Sequence, residues 1–209
     1  MEYKKDKISE SVVKRLPMYY RYLSELLEEG VWKVSSKQLA ETMNLTASQI
    51  RQDLNNFGSF GMQGFGYDTN KLRDAIIAIL GIQKTKSMVI LGAGNLGRAL
   101  AKFPFEETGF KVTALFDRKK ELIGQKITDN IEVKSITKME EYIENNPTDI
   151  IAIAISGDSG SGISKIISRM PIKGIWNFTN MELLVPEEIK IVNVHLVDSL
   201  MQLAYKINP

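Results

Sequence analysis

Gly92-Ala93-Gly94-Asn95-Leu96-Gly97 has the glycine spacing of a loop that cradles the phosphates of a dinucleotide. The apolar run 88–91 before it reads as a buried parallel strand, and residues 98–101 after it read as the start of a helix. A second apolar run, 112–116, ends at Asp117, twenty residues beyond Gly97. In that strand-turn-helix-strand context each position has a duty. Gly92 permits the tight turn, Gly94 lets the backbone approach a pyrophosphate, and Gly97 lets helix and strand pack closely. Ala93, Asn95 and Leu96 complete the cofactor-binding loop ahead of the helix N-terminus, whose free N–H groups and partial positive charge suit phosphate. Asp117 is placed to accept hydrogen bonds from the adenine-ribose hydroxyls, which favours NAD(H), as NAD+ and NADH, over NADP(H). Arg118, with Lys119 and Lys120 behind it, could neutralise an extra phosphate; a solvated basic turn is the plainer account. Farther along, 150–155 reads as a core strand. Ser156 opens a Gly-rich turn, 156–162, at its carboxyl end, the ligand side of such sheets. A helix over 163–169 and a strand over 173–176 come next.

Several chemistries are absent from the chain. It has no Cys, and His195 is its single His, which removes disulfides, thiol catalysis and the usual zinc ligand sets. Hydride transfer to a carbonyl usually needs an acid/base near the nicotinamide, and a lone His is a thin basis for one. An NAD-dependent oxidoreductase therefore ranks last, and no catalytic or metal-binding residue is expected. No apolar stretch is long enough to span a bilayer, and residues 1–7 lack the apolar core of a secretory signal, so a cytoplasmic location is the expectation.

About 85 residues precede the fingerprint and look like another module. Residues 8–29 read as an amphipathic helix with Pro17 inside it. Ser35 and Ser36 are good caps for a short helix over 37–43, Asn44 suits a left-handed turn, and Thr46 caps a second short helix running to about 56. On that second helix Ala47, Ile50 and Leu54 share one face, while Ser48, Arg51, Gln52 and Asn55 share the opposite one. A polar second helix is what a major-groove reader needs, since Arg binds guanine bidentately and Gln or Asn binds adenine. The segment 57–67 alternates glycine with aromatic residues and reads as a hairpin wing that contains Gln63 and Gly64. Asp68 or Thr69 caps a further helix over 70–80. Residues 1–80 carry eleven Lys plus Arg against ten Asp plus Glu, so bulk charge does not argue for nucleic acid. The resulting organisation is an α/β chain: a winged-helix (helix-turn-helix) domain over 1–81, a linker over 82–87, a Rossmann-like doubly wound parallel sheet over 88–194, and a C-terminal helix within 195–209. In that last helix Val197, Leu200, Met201, Ala204 and Tyr205 form one apolar stripe.

Arg15-Leu16-Pro17-Met18-Tyr19-Tyr20-Arg21, Ser48-Gln49-Ile50-Arg51-Gln52-Asp53-Leu54, Phe57-Gly58-Ser59-Phe60-Gly61, the fingerprint with Phe116-Asp117, and Lys173-Gly174-Ile175-Trp176-Asn177-Phe178 occur in one order over nearly the whole chain. In this the sequence resembles the redox-sensing transcriptional repressors of the Rex family. The resemblance implies a homodimer with swapped C-terminal helices, bound to a pseudo-palindromic double-stranded operator and released from it by NADH. It places Thr46, Ser48, Gln49, Arg51, Gln52, Gln63 and Gly64 at the DNA, and Asn177 at the nicotinamide region. It also implies a switch made by Arg21, a Tyr after the glycine-loop helix, and an Asp before the last helix.

Three features depart from the family pattern. The Tyr position holds Phe103, which cannot donate a hydrogen bond. The Asp position holds His195, which cannot make the charge-assisted pair with Arg21 and is expected to be a buried neutral ring; Asp198, one turn on, could substitute. Gln52 and Gln63 stand where the family has cations, which predicts a shallower salt dependence of DNA binding or another operator preference. These features imply an altered redox response on an intact nucleotide site. A DNA-binding sensor of another nucleotide, NADP(H) or coenzyme A, remains the alternative.

Overall fold

The computed structural model describes residues 8–56, 61–62, 66–155 and 160–208, with only the backbone of 61–62 and 160–161. It divides into two compact units, Met1–Lys84 and Thr85–Pro209.

The first unit begins with α1 (Glu10–Glu28), which runs through Pro17 as one element and buries Leu16, Tyr19 and Leu23. β1 (Lys33–Val34) leads into α2 (Ser36–Met43). The α2 start is a full capping box, with the Ser35 hydroxyl on the Gln38 N–H and the Gln38 side chain on the Ser35 N–H. Asn44 ends α2 in the left-handed conformation that its residue type favours. Thr46 accepts the Gln49 N–H and starts α3 (Ala47–Asn55). β2 (Gly61–Met62) and β3 (Gly66–Asp68) form the antiparallel hairpin of the wing and join β1 in the order β1-β3-β2. Asp68, rather than Thr69, caps α4 (Thr69–Leu80). Leu39, Ile50, Leu54, Leu72 and Ile76 close the core against α1.

An ion pair that periodicity does not reveal lies behind α3. Asp53 is 2 % exposed and receives two 2.7 Å hydrogen bonds from Arg15, at Nε and Nη2, and one of 2.9 Å from the Tyr19 hydroxyl. Hydrogen bonding to Asp53 holds the Arg15 guanidinium above its ordinary pKa, while burial, then Asp53, pushes Tyr19 far above its own. Arg15 and Tyr19 thus both donate to the one Asp53 side chain.

The second unit alternates strand and helix: β4 (Lys86–Leu91), α5 (Asn95–Lys102), β5 (Phe110–Asp117), β6 (Lys126–Thr128), β7 (Ile131–Ser135), α6 (Met139–Asn145), β8 (Ile150–Ile153), α7 (Gly160–Ile167), β9 (Gly174–Asn177), β10 (Lys190–Asn193) and α8 (Leu196–Ile207). The sheet runs β10-β9-β8-β4-β5-β7-β6, parallel except for β6. β4 begins at Lys86, so residues 86–87, expected in the linker, are strand. The short strands β6 and β10 have no strong apolar alternation and escape a sequence reading. Gly160 to Gly162, expected in a turn, are already helix, and α5 starts at Asn95 rather than near Arg98. At the amino end of the sheet, Asp149 accepts from Ser87 N–H (3.1 Å) and Lys173 Nζ (2.7 Å). Burial raises its pKa, but Lys173 and the Ser87 N–H outweigh that and hold it below the ordinary value.

α8 lies within the 195–209 segment expected to hold the last helix, yet none of its residues is buried. Leu200 and Met201 are more than 60 % exposed, so the apolar stripe is left open.

Candidate functional site

Strand order reverses between β4 and β8, and at the carboxyl ends of these strands lies a crevice of about 610 Å³. Open parallel sheets bind ligands at such a switch point. The walls are Gly92, Gly94, Asn95 and Leu96 from the glycine loop, Asp117, Arg118 and Lys119 after β5, Ala154 and Ile155 after β8, Ile163 and Ile166 of α7, and Phe178. The loop geometry explains its glycines. Gly92 has φ +112°, and a Cβ there would lie 2.5 Å from the Ala154 carbonyl oxygen. A Cβ on Gly97 would strike the Gly92 carbonyl oxygen, because α5 leaves the strand that closely. Gly94 differs: its backbone is extended, and a Cβ there meets nothing within 4 Å. The space over Gly94, at the N-terminus of α5, is a cradle open to a ligand and suited to a phosphate.

Asp117 lines the same crevice. One of its oxygens accepts the Ala93 N–H at 2.7 Å and the other the Lys119 N–H at 2.9 Å. A carboxylate has about four acceptor sites, so capacity remains for two ribose hydroxyls. The residues present therefore fit a dinucleotide: a phosphate cradle, a diol acceptor, and an apolar wall of Ile155, Ile163, Ile166 and Phe178. Arg118 and Lys119 sit at the same mouth, in keeping with the basic run. Ile163 and Ile166 carry no site signal in the sequence, and Phe178 is visible there only as part of a motif.

Asn177 departs from expectation. It is fully buried, donating to the Met181 carbonyl (3.2 Å) and Asn193 Oδ1 (2.8 Å) and accepting from the Thr179 N–H (3.1 Å) and hydroxyl (2.7 Å). Those four bonds use up its carboxamide. It ties the ends of β9 and β10 together, and the next residue, Phe178, faces the crevice. Ser156, like Gln63 and Gly64, lies outside the described residues.

Phe103 caps α5, is 58 % exposed and does not line the crevice. Its ring lies tilted against Phe105 with centroids 4.6 Å apart, and Phe105, Trp176 and Phe178 continue as edge contacts to the crevice wall. His195, expected in the interior, is exposed at the start of α8, with Asp198 exposed a turn later. The reason is that no residue of α8 is buried, its first turn included. Arg21 is exposed on the first unit. Among the described residues no cluster of His, Asp and Glu could hold a metal, and no helix is long and apolar enough to cross a membrane.

On the first unit, Ser48, Arg51, Gln52 and Asn55 are exposed along one side of α3, with Gln49 at its margin, as the helical pattern predicts. Arg51 Nη1 donates to Ser36 Oγ at 3.2 Å, which braces it against α2. The Thr46 hydroxyl is engaged as the helix cap.

Two family models match: a putative DNA-binding protein N-terminus over residues 7–55 and a coenzyme A-binding domain over residues 83–181. The redox-sensing transcriptional repressor Rex of Thermoanaerobacter pseudethanolicus is 46 % identical over 98 % of this chain and 92 % of its own length. That of Clostridium botulinum is 47 % identical over 98 % of both. Among solved structures, RSP in complex with β-NAD+ and operator DNA matches with a TM-score of 0.90 at 44 % identity, over 96 % of this chain and 93 % of its own. RSP in complex with β-NADH matches at 0.88 and 42 %, over 97 % and 95 %. With a nucleotide crevice and a polar-faced α3 on one polypeptide, and relatives of this identity over both, the chain belongs to the Rex family of redox-sensing transcriptional repressors.

Proposed function

We propose that this chain is a homodimeric repressor that reads a pseudo-palindromic operator with α3 and the wing, and that the NADH/NAD+ ratio sets its hold on DNA through the crevice. The observation that carries the reading is Gly94 beside Asp117: an unobstructed phosphate cradle next to a diol acceptor, joined in one chain to an exposed polar helix. The chain acts as a regulator in the cytoplasm, without a reaction of its own. Thr46, Ser48, Gln49, Arg51 and Gln52, with Gln63 and Gly64 of the wing, face the operator. The coenzyme A model over 83–181 favours a second reading, an acyl-carrier nucleotide in the same crevice. Asp117 weighs against it, because the 3′-phosphate of coenzyme A would meet a carboxylate instead of a diol.

The test is operator binding with no ligand, with NAD+ and with NADH, alongside calorimetry with NADPH and coenzyme A. Retention in NAD+ and release in NADH are expected, with NADPH and coenzyme A bound more weakly. Release by coenzyme A but not by NADH would overturn the reading. Phe103→Tyr and His195→Asp together restore the phenol and carboxylate of the family switch and should lower the NADH needed for half-release. An unchanged midpoint would remove both positions from the switch.

The dimer rests on α8. Seven of its large hydrophobic side chains are exposed, and a partner subunit is the occupant that the family resemblance supplies. Leu200→Glu with Met201→Glu buries two charges in that interface, at a cost of several kcal/mol. The expected result is a monomer by sedimentation, with operator affinity lost; a dimer of undiminished stability would exclude α8 from the contact.

A further inference from the structure

The glycine loop is held by two side chains, and only one of them is visible from the fingerprint. Asp117 takes the Ala93 N–H and so fixes the peptide between residues 92 and 93. Arg98, on the first full turn of α5, donates from Nε to the Ala93 carbonyl at 2.8 Å. That bond fixes the next peptide, between Ala93 and Gly94. In a trans peptide the C=O and N–H point in opposite directions. Arg98 does not line the crevice, whereas Gly94 does. A carbonyl drawn toward Arg98 therefore turns the Gly94 N–H toward the ligand space. A peptide that precedes glycine rotates easily, so such an orientation needs an outside hold.

The hold is itself braced. Nη2 of Arg98 donates to Gln125 Oε1 at 2.7 Å, and Gln125 Nε2 donates to the Glu121 carbonyl at 2.7 Å. The guanidinium fork thus spans from the glycine loop to the turn after β5, which carries Leu122 on the crevice wall. Planarity of the fork makes the two bonds mutually reinforcing, which a lysine ammonium cannot reproduce.

We propose that Arg98 is a positioning residue for the ligand's diphosphate: it locks the Ala93–Gly94 peptide with the Gly94 N–H aimed at a phosphate oxygen. The role rests on the reading of the crevice as a dinucleotide site. Arg98→Met keeps the aliphatic stem and removes both donors. Loss of a charge-assisted hydrogen bond of this kind weakens binding by roughly tenfold. Titration of the full chain with NADH and with ADP should show that loss for both ligands, because they share the diphosphate. Arg98→Lys should recover part of it, reaching Ala93 alone. In a ¹⁵N–¹H spectrum the Gly94 amide, shifted by ADP in the unmodified chain, should respond much less in Arg98→Met. Gln125→Met leaves the Ala93 bond in place and should give a smaller loss in the same direction; it also carries the test should Arg98→Met fold poorly. An ADP affinity unchanged in folded Arg98→Met would overturn the role. So would a loss that Arg98→Lys leaves unrelieved while the ligand-free melting temperature falls equally in both, since that is mere structural damage. If the unmodified chain binds neither NADH nor ADP, the dinucleotide reading itself fails and this role with it.

Discussion

Asp53→Ala is expected to cost the DNA-reading unit about 3 kcal/mol, the lower end of the range for removing one partner of a buried ion pair. The substitution strands two groups at once. Arg15 keeps its charge with its best acceptor gone, and the buried Tyr19 hydroxyl loses its bond to the carboxylate. Arg15 retains 20 % of its side-chain surface, so water relieves part of the penalty, which is why the lower end applies. Asp53 stands on the inner face of α3, so the helix that presents Ser48, Arg51 and Gln52 loses its fastening to α1. Hydrogen exchange on the full chain measures this directly. A loss of about 3 kcal/mol corresponds to roughly a hundredfold faster exchange in α1 and α3. Amides in β4 and β8, which belong to the other unit, should be unchanged, and NADH binding should survive while operator binding falls. Asp53→Asn keeps the shape and one acceptor and should fall between. Protection in α3 that matches the unmodified chain would show that the ion pair contributes nothing net.

Gly94→Ala should separate ligand binding from folding. Its backbone is extended, which alanine adopts freely, and the added methyl meets no protein atom within 4 Å. The methyl instead occupies the space in which a diphosphate would approach the α5 N-terminus. Overpacking of that kind costs about 2–3 kcal/mol, or roughly a hundredfold in Kd for NADH. Melting of the ligand-free protein should not move. Gly97→Ala is the contrast: its methyl runs into the Gly92 backbone, so stability and binding should fall together. NADH affinity unaffected by Gly94→Ala would place the ligand's phosphates elsewhere.

The two expectations differ in origin, and the difference lies in the range of the forces involved. Helix starts and stops depend on neighbours within four residues. Hence the caps at Ser35 and Thr46 and the left-handed turn at Asn44 can be read from the chain and are found in place, and the α4 cap is legible to within one residue, at Asp68 or Thr69. The glycine loop is just as local, since a turn between strand and helix needs those residues wherever it occurs. The exposed polar side of α3 and the place of α8 come from helical period alone.

Contacts across the chain have another origin. Asp53 sits in a run of polar residues, and only the packing of α1 on α3, 38 residues apart in sequence, makes it a buried anion paired with Arg15. Asn177 ends a strand in a motif that suggests ligand contact, yet the pairing of β9 with β10 turns it inward onto Asn193. For Phe103 and His195 the family resemblance implies a place in the switch; in this chain both are exposed, Phe103 at the C-terminal end of α5 and His195 at the start of α8. Arg98 reads as an ordinary helix residue in the sequence, and only the fold brings the Ala93 carbonyl and Gln125 within reach of one guanidinium. The sequence by itself therefore determined the two modules, their local punctuation and the phosphate loop, because each depends on near neighbours. Tertiary structure alone decided which polar side chains are buried, which are free for ligand, and which hold the loop in position, because burial and hydrogen-bond partners are set by segments far apart in the chain.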